Sequence, residues 1–275
     1  MYAKEVTQTS KSALLELCLS LRRYHDDIVL AGGWAPFFIV DGHFPHCGSI
    51  DVDLALRARI MPKYDSIRKS VIGLGYVAEN PFRFSRTLKS PVDGNDYEIH
   101  LDFLCDKKGS KYITLKVQPD LEAFAFDGID LGFAFNFEQE IDALLPNDGE
   151  AKIRVKVVDL VSSLALKGRA MDGRFKPKDA YDIFALTYYG GGLEQAAEYF
   201  NKTVSAKRLS VQNRLFLEHS LTVIREKFKN SNQVGPFQVE TFTDGKYERL
   251  AVAMQVNAFL NALDSKGKAL AGGLK

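Results

Sequence analysis

The stretch Ile28-Val29-Leu30-Ala31-Gly32-Gly33-Trp34, followed by Ser49-Ile50-Asp51-Val52-Asp53-Leu54-Ala55-Leu56, decides the fold. Its first four residues are apolar and run into two glycines. They read as a short buried strand that turns at Gly32-Gly33 into an apolar helix, Trp34 to Val40, stopped by Asp41-Gly42. Ser49 to Leu56 alternates, with Ile50, Val52, Leu54 and Leu56 on one face and Asp51, Asp53 and Ala55 on the other. A strand has period two, so both aspartates point the same way. Two carboxylates at i, i+2 form a pincer of hard oxygen ligands, which suits Mg²⁺ held together with substrate phosphates. A Gly-Gly turn opening a helix offers backbone N–H groups to a phosphate. Either feature alone reads more often as a wet strand face or a plain turn; together, in this order, they shift the balance towards function.

Outward from this stretch, Leu14, Cys18 and Leu21 recur at helical spacing after Ser10, a candidate N-cap, and predict a helix ending near Tyr24. Pro62 opens another, with Tyr64, Ile67, Val71 and Leu74 inward and Gly75 at its end. Tyr97 to Leu104 alternates again and sets Glu98, His100 and Asp102 opposite Ile99, Leu101 and Phe103. As a third ligand beside Asp51 and Asp53, Asp102 completes a two-metal arrangement with ions ~3.5–4 Å apart. Taken alone it reads as a solvated charge, and Glu98 and His100 as outlying members of the same face. Tyr112 to Val117 and Leu131 to Phe137 are further strand candidates, and Pro146-Asn147-Asp148-Gly149 is a turn signal.

From Val157 the period is helical to the end. The apolar stripe Val157, Leu160, Val161, Leu164 leads to Lys167, placed either to reach a nucleotide phosphate or to snorkel at a helix end. Lys178-Asp179-Ala180-Tyr181-Asp182-Ile183 opens another helix, where Asp179 suits the dipole and Lys178 can pair with Asp182. The glycines and lysines of the last ten residues read as a frayed tail. The outline is α/β (α+β): a mixed-sheet core over 1–190 that includes the Lys167 and Lys178–Asp182 segments, then a helical region over 191–275.

Thirty-six Lys plus Arg against thirty-five Asp plus Glu, with 46% hydrophobic residues, argue against a disordered chain and against a strongly basic nucleic-acid coat. No apolar run reaches the ~20 residues of a membrane helix, so no membrane is expected. Three scattered cysteines point to a reducing, cytoplasmic setting. His43, His46 and Cys47 suggest a metal cluster but lack a fourth ligand, and the loop-like stretch makes them surface residues.

Leu30-Ala31-Gly32-Gly33, Ser49-Ile50-Asp51-Val52-Asp53, Asp102, Lys167-Gly168-Arg169 and Lys178-Asp179-Ala180-Tyr181-Asp182-Ile183 together resemble the AbiEii/AbiGii toxin family of nucleotidyltransferases, within the DNA polymerase β-like superfamily. The resemblance spans roughly residues 27–186. It implies a nucleotidyltransferase core in which Asp51, Asp53 and Asp102 hold Mg²⁺ (or Mn²⁺) and carry catalysis. Gly32, Gly33, Ser49, Lys167, Lys178, Asp179 and Asp182 would bind the NTP. It further implies an RNA acceptor such as a tRNA end and a cognate antitoxin. The sequence departs from the family in the long span between Gly33 and Asp51, and in His46-Cys47-Gly48, where relatives often carry a basic residue. Near-neutral charge leaves a small hydroxylated acceptor such as an aminoglycoside open, as it does a binding module without catalysis.

Overall fold

The computed structural model describes residues 1–147 and 149–271. They form, in chain order, α1 (Lys4–Ser20), β1 (Ile28–Leu30), α2 (Trp34–Ile39), β2 (Asp51–Leu56), α3 (Ile67–Gly73), β3 (Val77–Ala78), β4 (Arg83–Lys89) and β5 (Asp96–Asp106). Then follow β6 (Thr114–Gln118), β7 (Leu121–Phe126), α4 (Asp130–Ala134), β8 (Asn136–Leu144) and β9 (Glu150–Val158). The chain closes with α5 (Leu160–Gly173), α6 (Pro177–Leu186), α7 (Leu193–Ser205), α8 (Val211–Lys227), α9 (Val234–Phe242) and α10 (Arg249–Ala271). α10 continues well into the stretch expected to fray; residues 272–275 lie outside the described residues, as does Asp148 of the expected turn.

The chain divides into two compact units. One comprises Tyr2–Ala35 and Cys47–Val158 and contains the sheet; the other comprises Met1, Pro36–His46 and the chain from Asp159 onward, and is helical.

The sheet is mixed, as expected for an α/β chain. Its order is β3-β4-β5-β2-β1-β9-β8, with β7 beside β5 and β6 beside β7. The pairs β1–β9, β2–β5 and β5–β7 are parallel and the rest antiparallel. Val52, Leu54, Ile99, Leu101 and Phe103 are all fully or almost fully buried, which is what the alternation of β2 and β5 requires of their apolar face. Ala13 of α1 packs with Leu88 and Ile99 on that side.

Several local expectations are corrected. Ser10 is no N-cap: α1 begins six residues earlier, and the buried Ser10 Oγ accepts a hydrogen bond from Trp34 Nε1 at 3.2 Å. Trp34 in turn explains Gly48, whose missing side chain would lie 3.3 Å from the indole. α3 starts at Ile67 because Ser66 caps it, accepting from the Lys69 N–H; Tyr64 is exposed instead of inward. Leu131 lies in α4, and the strand begins only at Asn136. Val157 belongs to β9, in register with Leu30, and the helix waits for Asp159, whose carboxylate accepts from the Ser162 N–H. Among the described residues, no helix is long and apolar enough to cross a membrane.

In the helical unit, Phe44, Tyr181, Phe184, Tyr188 and Tyr247 form one aromatic cluster with ring centroids 5.0–5.9 Å apart. α5 and α8 cross closely at Gly168, where a β-carbon would come within 2.6 Å of the Ser220 carbonyl oxygen.

Candidate active site on one face of the sheet

Register decides which side chains meet. Parallel pairing of β2 with β5 sets Asp51 opposite His100 and Asp53 opposite Asp102. Antiparallel pairing of β4 with β5 sets Ser85 opposite His100 and Arg83 opposite Asp102. Residues in one cross-strand row share a face, so two rows, Arg83–Asp102–Asp53 and Ser85–His100–Asp51, lie side by side. The three expected carboxylates are therefore on one face, on two adjacent strands.

Their partners differ. Asp102 is almost completely buried and accepts a forked pair of bonds from Arg83, Nε to Oδ1 at 2.7 Å and Nη2 to Oδ2 at 2.5 Å. That hydrogen bond, with the added attraction of Asp102, Asp51 and Glu79, raises the affinity of the Arg83 guanidinium for its proton against the effect of burial. His100 lies between acids, with Nδ1 at 3.5 Å from Asp51 Oδ1 and Nε2 at 3.3 Å from Glu79 Oε1 and 3.7 Å from Glu98 Oε2. Ligand atoms of Glu79, Glu98 and His100 all lie within 4.8 Å of one another. Around one arginine and one histidine, then, this face gathers five carboxylates.

Gly32 shows how tightly the turn approaches Asp53. Its φ is +63°, in the left-handed region, and a β-carbon there would fall 1.8 Å from Asp53 Oδ2. Only glycine lets the backbone after β1 rest against that carboxylate, and the Ala31 N–H donates to the Asp53 carbonyl at 2.9 Å. Gly33 and Ser49 are buried. Asp51 and Asp53 present carboxylates from one strand face, the donor type that a hard cation takes, and the Gly32 backbone lies directly against the second. Asp102 brings little uncompensated charge to a further cation, because Arg83 already neutralises it through both oxygens.

Lys167, Lys178, Asp179 and Asp182 belong to the helical unit and meet one another there. Lys167 Nζ lies 2.9 Å from Asp179 Oδ1 and 2.6 Å from Asp182 Oδ2; Lys178 Nζ lies 2.7 Å from Asp182 Oδ1. Arg174 adds Nε to Asp179 Oδ2 at 2.8 Å. All but Arg174 are buried. Burial alone would raise the Asp182 carboxyl, but Lys167, Lys178 and His46 outweigh it and hold the group far below the usual carboxylate range. Lys167 is likewise held above its ordinary value by Asp179 and Asp182, against its own burial.

His46, expected at the surface, is buried. Its Nε2 donates to Asp182 Oδ1 at 2.9 Å, and its ring leans on Tyr181 with centroids 5.0 Å apart. Only His43 of the pair is exposed. Burial, with Lys178 adding to it, pushes the His46 imidazole down to about 4. The unfolded chain therefore binds this proton first, and its contribution to stability is lost as pH falls from about 6.5 towards 4. Thermal melts over that window are expected to show a fall on the order of 3 kcal/mol, and His46→Gln to flatten it. A profile unchanged in the variant would place the titration elsewhere.

Arg83, Glu79, Arg174 and the buried His46 are the members that the sequence did not reveal. Arg83 sits in a strand whose alternation is broken by Arg86, which points to the apolar side and pairs with Glu16. His46 and Asp182 are 136 residues apart, with no local pattern linking them.

No family model and no curated protein matches this sequence. Among solved structures, JHP933 from Helicobacter pylori aligns with a TM-score of 0.49 and 10% identity, covering 100% of this chain and 98% of that one. A candidate nucleotidyltransferase from H. pylori aligns with a TM-score of 0.42 and 9% identity, covering 93% and 95%. At such distances the chemistry has to be read from this chain's own side chains.

Proposed function

We propose that the protein is a metal-dependent nucleotidyltransferase that moves a nucleoside monophosphate from an NTP to a hydroxyl acceptor. The observation that carries this reading is the pair Asp51 and Asp53 on one strand face, in register with His100 and Asp102, with the Gly32 turn resting against Asp53. Asp51 and Asp53 would hold Mg²⁺ or Mn²⁺, which when bound neutralises charge on the phosphates and polarises the one under attack. The acceptor hydroxyl oxygen would bond to the α-phosphorus in line with the bond that breaks, its proton passing to Asp102 as general base, and pyrophosphate would depart with the electron pair of the broken bond. Gly32, Gly33 and Ser49 are the proposed triphosphate contacts. Asp102 faces the same site through Arg83.

Lys167, Lys178, Asp179 and Asp182 enter as nucleotide-binding residues on the strength of the sequence resemblance. Their burial and mutual pairing support a part in building the helical unit as well. The same resemblance is what supports RNA as the acceptor, an AbiEii-like toxin role and an antitoxin partner.

The test is thermal unfolding with each of the four NTPs, with and without Mg²⁺, beside Asp53→Ala. A ligand at a hundredfold excess over its Kd stabilises the native state by about 2.7 kcal/mol. Stabilisation that needs metal and NTP together, and is lost in the variant, is the expected result. No shift under any condition would leave the paired aspartates as a wet strand face.

A further inference from the structure

We infer that Arg83 takes the place of a second metal ion, so that this face works with one divalent cation and one fixed guanidinium. The inference rests on the nucleotidyltransferase reading and concerns what neutralises Asp102. A carboxylate this deeply buried needs a compensating charge, since burying it unpaired is strongly unfavourable. In a site with two ions ~3.5–4 Å apart, bridging carboxylates share both, and the third carboxylate serves the second ion. Here both oxygens of Asp102 are engaged by Nε and Nη2 of Arg83.

The pairing is built into the sheet. β4 places Arg83 directly opposite Asp102, and β2 places Asp53 directly opposite it on the other side. Cation and two carboxylates thus stand in a single row that no rearrangement of a loop assembles. A guanidinium carries its charge at every working pH and presents a planar fork matched to a carboxylate. Unlike a metal ion it cannot dissociate, but it delivers one positive charge in place of two and polarises no bound hydroxyl. Arg83 is a positioning residue in this scheme: it acts through Asp102.

The test counts bound Mn²⁺ by electron paramagnetic resonance, using the full chain and the metal alone. Wild type is expected to take one Mn²⁺ per chain at the sheet face and Arg83→Ala to take a second, because Asp102 is then an uncompensated carboxylate beside Asp53. Arg83→Lys, which keeps a cation there, should return the count to one, as should Asp102→Asn in the Arg83→Ala background. Mn²⁺ should accordingly raise the melting temperature of Arg83→Ala more than that of wild type. Two ions in wild type, or one in a folded Arg83→Ala, would overturn the inference while leaving the nucleotidyltransferase reading intact. No Mn²⁺ bound by either protein would overturn the inference too, whereas the nucleotidyltransferase reading falls only if metal and NTP together fail to stabilise the chain.

Discussion

Asp53→Asn is expected to lower metal-dependent NTP turnover at least a thousandfold, a loss on the order of 4 kcal/mol of transition-state stabilisation. The amide matches the carboxylate in size, so Gly32 still fits against it, and the hydrogen bond from Ala31 N–H is to the backbone carbonyl of residue 53. What is lost is the negative charge that would hold the cation. Asp51→Asn should fall comparably, because the two oxygens act as a pincer. Glu98→Gln offers the control: Glu98 shares the face but is exposed and lies 3.7 Å from His100, so its turnover should stay near wild type. Direct measurement of pyrophosphate release at saturating Mg²⁺ decides the matter. Turnover above a tenth of wild type in folded Asp53→Asn would defeat the metal-pincer mechanism.

Asp182→Ala is expected to destabilise the protein by about 3–5 kcal/mol at pH 7, the usual effect of removing one partner from a buried ionic group. Asp182 is fully buried and faces three groups at once: Lys167, Lys178 and His46. Its removal leaves the Lys178 ammonium buried beside Lys167, with Asp179 alone to serve the latter. A fall in Tm on the order of 10 °C follows for a chain of this size, read by calorimetry. Two further measurements separate charge from packing. Asp182→Asn should lie between wild type and alanine, since it keeps an acceptor for His46 without the charge. Lys178→Met combined with Asp182→Leu should recover part of the loss, because an apolar pair no longer strands an ion. A loss under about 1 kcal/mol in Asp182→Ala would mean that water reaches the cluster.

The two halves of the candidate chemistry were unequally legible. The D-x-D pincer, the shared face of His100 and Asp102 and the Gly-Gly turn all follow from period two and from glycine's freedom in φ, which act within a few residues. The strand and helix types around them were mostly readable for the same reason. Boundaries were not: β9 absorbed Val157 because a parallel partner, Leu30, was available, and helix α5 began only where Asp159 could cap it. The hairpin of β8 and β9 went unread although charged residues alternate along both strands, a period-two signal; what only the structure supplies is their mutual register.

By itself the sequence determined which carboxylates share a face of one strand, where a glycine turn stands and which segments carry an apolar side. These are consequences of chain geometry, local and independent of the rest of the molecule. Only the tertiary structure decided who meets whom. That Arg83 lies across from Asp102 depends on the register of two strands, and that register is set by the sum of their cross-strand contacts. That His46 stands against Asp182 depends on closing a loop of more than a hundred residues, which no periodicity records. Charge compensation in a buried site is a pairwise property, and the pairs are chosen by the fold.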